Sequence, residues 1–172
     1  RREPDALAAA TTAGLGNALL EGLRFLVVED NPTNRMIAVK LLESLGVQVE
    51  QMGASSLRIR THAAERARLD PELCRRIRAS ILLAGPMLSR FGGIDLPPPG
   101  GDVIGRRRID THLLALQALG VEASYNEREF HMQARDRLRG GSILLDEASV
   151  TATENAIMAA VRAEGSSMIR HA

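Results

Sequence analysis

Two passages of this chain, 74 positions apart, carry the same punctuation: Leu45-Gly46-Val47 and Leu119-Gly120-Val121. Each follows a stretch with helical spacing of apolar residues and precedes two short alternating runs. In the first, Ile37, Leu41 and Leu45 share one face of a helix predicted over about residues 34 to 45, and Gly46 stops it. Val47 to Glu50 then alternates, residues 52 to 55 turn, and Leu57 to Arg60 alternates again, which spells a hairpin. In the second, a helix over about 110 to 119 ends at Gly120, and Val121 to Tyr125 pairs with Phe130 to Arg135. A helix, glycine, hairpin order that recurs at a fixed distance is an internal repeat. It confines the chain to a mixed α/β fold built from similar units.

Other elements fit around these two. Ala6 to Leu20 reads as an Ala-rich helix, and Leu23 to Val28 as a buried strand. A helix is expected over Glu72 to Leu83, with Leu73, Ile77 and Ile81 inward and Pro86 ending or kinking it. Pro97-Pro98-Pro99-Gly100-Gly101 must be a loop. Ser142 to Asp146 reads as a strand. Thr151 and Glu154 read as a capping-box pair opening a helix to Glu164, with Gly165 as its stop and a last strand over 167 to 169.

Composition excludes several classes. Aromatic residues are 2% of the chain and Trp is absent, so the core must be aliphatic, and a base-stacking nucleic-acid surface is not expected. The net charge of +1 names no electrostatic partner. Cys74 is the sole cysteine, which rules out an intramolecular disulfide or a cysteine-built zinc site, and it reads as a small buried hydrophobe. His62, His112, His131 and His171 show no ligand spacing, so no metal site is expected. No apolar run reaches membrane-spanning length and no signal-peptide layout opens the chain, which reads as cytoplasmic; its start at Arg1 reads as a fragment. Lys40 is the only lysine, so an anion site would have to be made of arginine forks.

Three places carry candidate chemistry. Between Pro97 and Asp110 the chain gathers prolines, glycines, Asp102, Arg106, Arg107, Arg108 and Asp110. Such a loop either approaches and clamps an anion or is a solvated charge run. Asp102 is a possible general acid if burial raises its pKa. Ser149-Val150-Thr151 opens a helix whose free N–H groups favour an anion, unless they are simply capped. Arg78 lies beside the apolar face of its helix, as a salt-bridge partner or a substrate clamp.

The order of these motifs resembles the enolpyruvyl transferase family, in particular the UDP-N-acetylglucosamine 1-carboxyvinyltransferases. The resemblance is carried by Arg78-Ala79-Ser80-Ile81 with Gly85-Pro86 and Arg90-Phe91-Gly92, and by Pro99-Gly100-Gly101-Asp102-Val103-Ile104-Gly105-Arg106-Arg107-Arg108-Ile109-Asp110-Thr111-His112. Leu138-Arg139-Gly140, Ser149 to Asn155 and Ala163-Glu164-Gly165 complete it. It implies one lobe of a two-lobed inside-out α/β barrel, made of βαβαββ units. As a single lobe, 1–172 would divide into a repeat over about 1–62, a second over about 63–137 and a truncated third over about 138–172.

The implied reaction moves the enolpyruvyl group of phosphoenolpyruvate to the 3-hydroxyl of UDP-N-acetylglucosamine, with no cofactor, in peptidoglycan synthesis. The resemblance gives Arg78 to phosphoenolpyruvate. It gives Arg107, Arg108, Ile109, Asp110, Ser149, Val150 and Thr151 to the nucleotide sugar, with Arg108 in place of the family's proline and Thr151 in place of its glycine. Asp102 stands where most members carry a loop cysteine, and as a carboxylate it would not be alkylated by fosfomycin. The lysine and asparagine that the family places near its N-terminus have no counterpart in the lysine-free 6–20 stretch, and the second lobe is missing. The alternatives are binding of the sugar or a partner without catalysis, or a receiver-type signalling module. A further local likeness links Leu23 to Gln51, above all Phe25 to Pro32 with the acidic pair Glu29 and Asp30, to the start of a response-regulator receiver domain.

Overall fold

The computed structural model describes residues 31–53, 56–61, 68–100 and 108–172. The expected helix over 6 to 20 and strand over 23 to 28, together with Glu29, Asp30, His62, Asp102, Arg106 and Arg107, lie outside the described residues.

Helix α1 (Pro32–Ser44) opens on Asn31, whose side-chain oxygen accepts from the Thr33 and Asn34 N–H groups, with proline in the first turn. Its end is a Schellman turn. Gly46 N–H donates to Glu43 O at 2.9 Å and Val47 N–H to Leu42 O at 3.1 Å, with Gly46 at φ 74°. Strands β1 (Gln48–Gly53) and β2 (Ser56–Arg60) follow as an antiparallel hairpin. The second passage repeats the design: α4 (Asp110–Gln117), Gly120 at φ 91°, then β4 (Val121–Tyr125) and β5 (Phe130–Ala134). At such a φ a Cβ crowds the neighbouring carbonyl, a cost glycine escapes, which is why both helices end where they do.

Between the two passages the structure departs from expectation. The helix expected over 72 to 83 is broken: α2 (Pro71–Arg76) ends at Ile77, which is extended at φ −136°, and a 3-10 helix runs from Arg78 to Leu83. A further helix, α3 (Ala84–Phe91), begins at once. Pro86 therefore ends nothing. It sits in the first turn of α3, where its missing N–H has no intrahelical partner to lose. Strand β3 (Gly93–Leu96), which the sequence pattern did not announce, pairs antiparallel with β5 and completes a sheet of order β3-β5-β4.

The last unit is a parallel pair joined by a helix. Strand β6 (Ser142–Leu144) leads into α5 (Val150–Ala160) and back to β7 (Met168–Arg170). The helix stops at Ala160 rather than Glu164. Its cap is Ser149, whose Oγ accepts the Ala152 N–H at 3.3 Å, so the Thr151 and Glu154 pairing expected from the sequence is not the cap.

The core is aliphatic. Ile94, Leu96, Met132, Ala134 and Val121 turn one face of the three-stranded sheet inward, while the cross-strand row Asp95, His131 and Ser124 faces out. Helices α3 and α4 each pack on α5 through small residues. Ala84, Ala115, Ala152, Ala156 and Ala159 are wholly buried, which lets the backbones come close. Gly85 shows how close: a Cβ there would stand 2.6 Å from Asn155 O and Oδ1. This contact replaces the aromatic packing that the composition denies the chain.

Candidate functional site

The N-termini of α4 and α5 and the 3-10 helix meet at one place, and most of the described candidate residues lie there. The break at Ile77 starts the 3-10 helix at Arg78, whose Nη2 donates to the Arg108 carbonyl at 2.8 Å, thirty residues along the chain. Arg108 is turned to two carboxylates: Nε to Asp110 Oδ2 at 3.2 Å and Nη2 to Asp146 Oδ2 at 2.9 Å. The Asp110 and Asp146 carboxylates hold the guanidinium even more firmly protonated than usual. The Thr111 hydroxyl donates to Asp146 Oδ1 at 2.7 Å, and with Arg108 beside it this keeps Asp146 below the ordinary carboxylate range. The segment after β6 is thus fastened to the start of α4. In βαβ units the carboxyl end of a parallel strand is where ligands are held.

A second fastening lies underneath. His112, Asn155, Thr111 and Ser80 are buried polar residues in an otherwise apolar interior. Asn155 Oδ1 accepts the Gly85 N–H at 2.7 Å, and its Nδ2 donates to Ile81 O at 3.1 Å and contacts His112 Nδ1 at 3.3 Å. The other ring nitrogen, His112 Nε2, meets Thr151 Oγ1 at 3.3 Å. Burial, seconded by the nearby Arg78 charge, lowers the His112 pKa to about 4. No buried side-chain nitrogen or oxygen among the described residues lacks a partner.

Arg78, Arg108 and Asp110 are brought together directly, and Thr151 is tied to the same helix terminus through His112. Ile109 is half-buried against the core and its carbonyl accepts from His112 and Leu113 N–H. Ser149 is a cap by its side chain, and its carbonyl accepts from Thr153. Val150 is 76% exposed. Gly100 N–H donates to Cys74 O at 3.0 Å. Cys74 is buried, and that burial, with the Asp70 charge, pushes its thiol up to about 11.

The sequence reading missed four members: Thr111, His112, Asp146 and Asn155. The signal for two of them was present. His112 stands in the apolar row of Ala115, Leu116 and Leu119, and Asn155 in the row of Ala152, Ala156 and Ala159, so each is a polar residue on a buried face. Nothing in the pattern marked Asp146, because its partners come from a distant segment. Among the described residues no group of three metal-ligating side chains is gathered, and no helix is long and apolar enough to cross a membrane.

Comparison with known proteins adds identity to this geometry. Residues 18–172 match the family described as EPSP synthase (3-phosphoshikimate 1-carboxyvinyltransferase). That match takes in the whole of the receiver-like segment, Leu23 to Gln51. The chain is 53% identical over 135 residues to the UDP-N-acetylglucosamine 1-carboxyvinyltransferase of Bradyrhizobium diazoefficiens, covering 78% of this chain and 31% of that protein. It is 43% identical over 149 residues to the enzyme of the same name from Treponema pallidum, covering 86% and 35%. Among solved structures, the enolpyruvyl transferase NikO from Streptomyces tendae aligns with a TM-score of 0.68 at 19% identity, over 86% of this chain and 35% of that one. EPSP synthase from Acinetobacter baumannii aligns with a TM-score of 0.62 at 17% identity, over 78% and 31%. The chain spans about a third of the length of the relatives it matches.

Proposed function

This chain belongs to the EPSP synthase (3-phosphoshikimate 1-carboxyvinyltransferase) family, and we propose that it supplies one side of a site for enolpyruvyl transfer from phosphoenolpyruvate to UDP-N-acetylglucosamine. The observation that carries this reading is 53% identity over 135 residues to a UDP-N-acetylglucosamine 1-carboxyvinyltransferase. On this reading 1–172 is a single lobe with units over about 1–62, 63–137 and 138–172. Arg78 holds the phosphoenolpyruvate. Arg107, Arg108, Ile109, Asp110 and the Ser149-Val150-Thr151 turn hold the nucleotide sugar. Asp102 protonates the methylene carbon of phosphoenolpyruvate while the sugar 3-hydroxyl gives its proton to a base on the other side of the site and adds to the neighbouring carbon; loss of a methyl proton and of inorganic phosphate then restores the carbon–carbon double bond.

The local chemistry supports an anion site with restraint built into it. Arg108 is oriented by two carboxylates, so loss of Asp110 would release that guanidinium from its place as well as remove a group assigned to the nucleotide sugar. Because the chain covers about a third of its relatives, the remaining groups must come from elsewhere, and an open half-site orients its reactants poorly. The lysine-free stretch over 6 to 20 favours a second reading, in which the segment binds the nucleotide sugar without turnover.

Calorimetry separates these. Saturable heat on titrating UDP-N-acetylglucosamine, weakened at least about tenfold in Asp110→Ala, is expected of both readings. Release of inorganic phosphate from phosphoenolpyruvate by this chain alone would refute the half-site account. No heat with the nucleotide sugar would refute both.

A further inference from the structure

Of the groups outside the assigned contacts, His112 is the one the geometry constrains most. It is 1% exposed, lies on α4, and touches α5 through both of its ring nitrogens. The Asn155 amide can be oriented in only one way. Its Oδ1 takes the Gly85 N–H and its Nδ2 gives a proton to the Ile81 carbonyl, so a flipped amide would set donor against donor and acceptor against acceptor. The atom that Asn155 turns to His112 is therefore a donor. His112 Nδ1 must accept, and the ring proton sits on Nε2, where it is donated to Thr151 Oγ1. A protonated ring would place an N–H against the Asn155 N–H and a second positive charge near Arg78, the charged group facing the ring from the 3-10 helix.

We propose that His112 is a positioning residue for the Ser149-Thr151 turn: as the neutral Nε2–H tautomer it ties Thr151 to Asn155 and fixes the first turn of α5 against the N-terminus of α4. The proposal rests on the reading of that turn as the nucleotide-diphosphate side of the site. It gives Thr151 a defined place. Its hydroxyl accepts from a ring that Asn155 holds, so the side chain standing at the family's glycine position is oriented from inside the core.

Two substitutions divide the ring's two bonds. His112→Gln extends an amide to the Nε2 position and can still donate to Thr151, whereas His112→Asn reaches only the Nδ1 position and cannot. The probe is uridine diphosphate, titrated against the 172-residue chain, with thermal unfolding measured in parallel. The expected result is similar melting for the two variants, affinity close to that of the unaltered chain for His112→Gln, and about tenfold weaker binding for His112→Asn. Equal affinities in the two variants would overturn the proposal while leaving the binding site standing, since a purely structural histidine predicts no split. Absence of uridine diphosphate binding by the unaltered chain would overturn the underlying reading and the proposal with it. Long-range proton–nitrogen spectra of the unaltered chain decide the matter if either variant fails to fold. A bare Nδ1 and protonated Nε2 on His112 support the assignment, and a proton on Nδ1 overturns it.

Discussion

Asn155 satisfies a backbone donor, a backbone acceptor and a ring nitrogen at once, all inside the core. Asn155→Ala would strand the Gly85 N–H and His112 Nδ1 in a space closed to water, while the Ile81 carbonyl keeps the Ala84 N–H. At about 1–3 kcal/mol for each stranded group, a loss of about 3 kcal/mol is expected, or a melting temperature lower by roughly 6–12 °C. His112 sets a pH dependence of definite sign. Its folded pKa of about 4 lies below the ordinary 6.5, so between those values the unfolded chain binds more protons and stability falls as the pH falls. The full contribution is present above pH 6.5 and mostly lost by about pH 4, amounting to about 3 kcal/mol. Denaturant titrations of the unaltered chain and of His112→Gln at pH 7.5 and 4.5 should show the smaller pH effect in the variant. Cys74 should resist thiol reagents in the native chain and react on unfolding, because burial keeps its thiol protonated.

At the scale of elements, the places where the chain must reverse were legible and the places where it merely bends were not. The Leu-Gly-Val punctuation located the ends of α1 and α4 because a positive φ leaves a residue-type signature. Gly120→Ala, at φ 91°, should cost about 1–2 kcal/mol in equilibrium unfolding, while a neighbouring exposed substitution such as Glu122→Gln should cost less than about 0.5 kcal/mol. The break at Ile77 left no such mark. Its apolar spacing continues a helix across it, and what interrupts that helix is tertiary: the following turn packs on α5, and Asn155 takes the Ile81 carbonyl. Strand β3 was hidden for a related reason, since four residues beside a proline run carry too little periodicity to stand out. The Ser149 cap was misplaced by two residues because both Ser149 and Thr151 suit a cap, and only the contact of Thr151 with His112 distinguishes them.

At the scale of the whole molecule, family membership and the mixed α/β architecture were readable because the motifs are ordered along the chain, and order survives where single residues have changed. The site was readable only as a set of names. Arg78, Arg108 and Asp110 are separated by up to 32 positions, and what brings them together is the packing of α3 and α4 on α5 through alanine and glycine. On the proposed reading this meeting point binds a nucleotide sugar. The most direct test of that reading is a titration of isotopically labelled chain with UDP-N-acetylglucosamine, followed by backbone amide shifts. Saturable shifts concentrated at residues 108–112 and 149–152, with Arg78 among them, are predicted. Shifts that are absent, or that cluster instead on the outer face of the three-stranded sheet around Asp95 and His131, would contradict it.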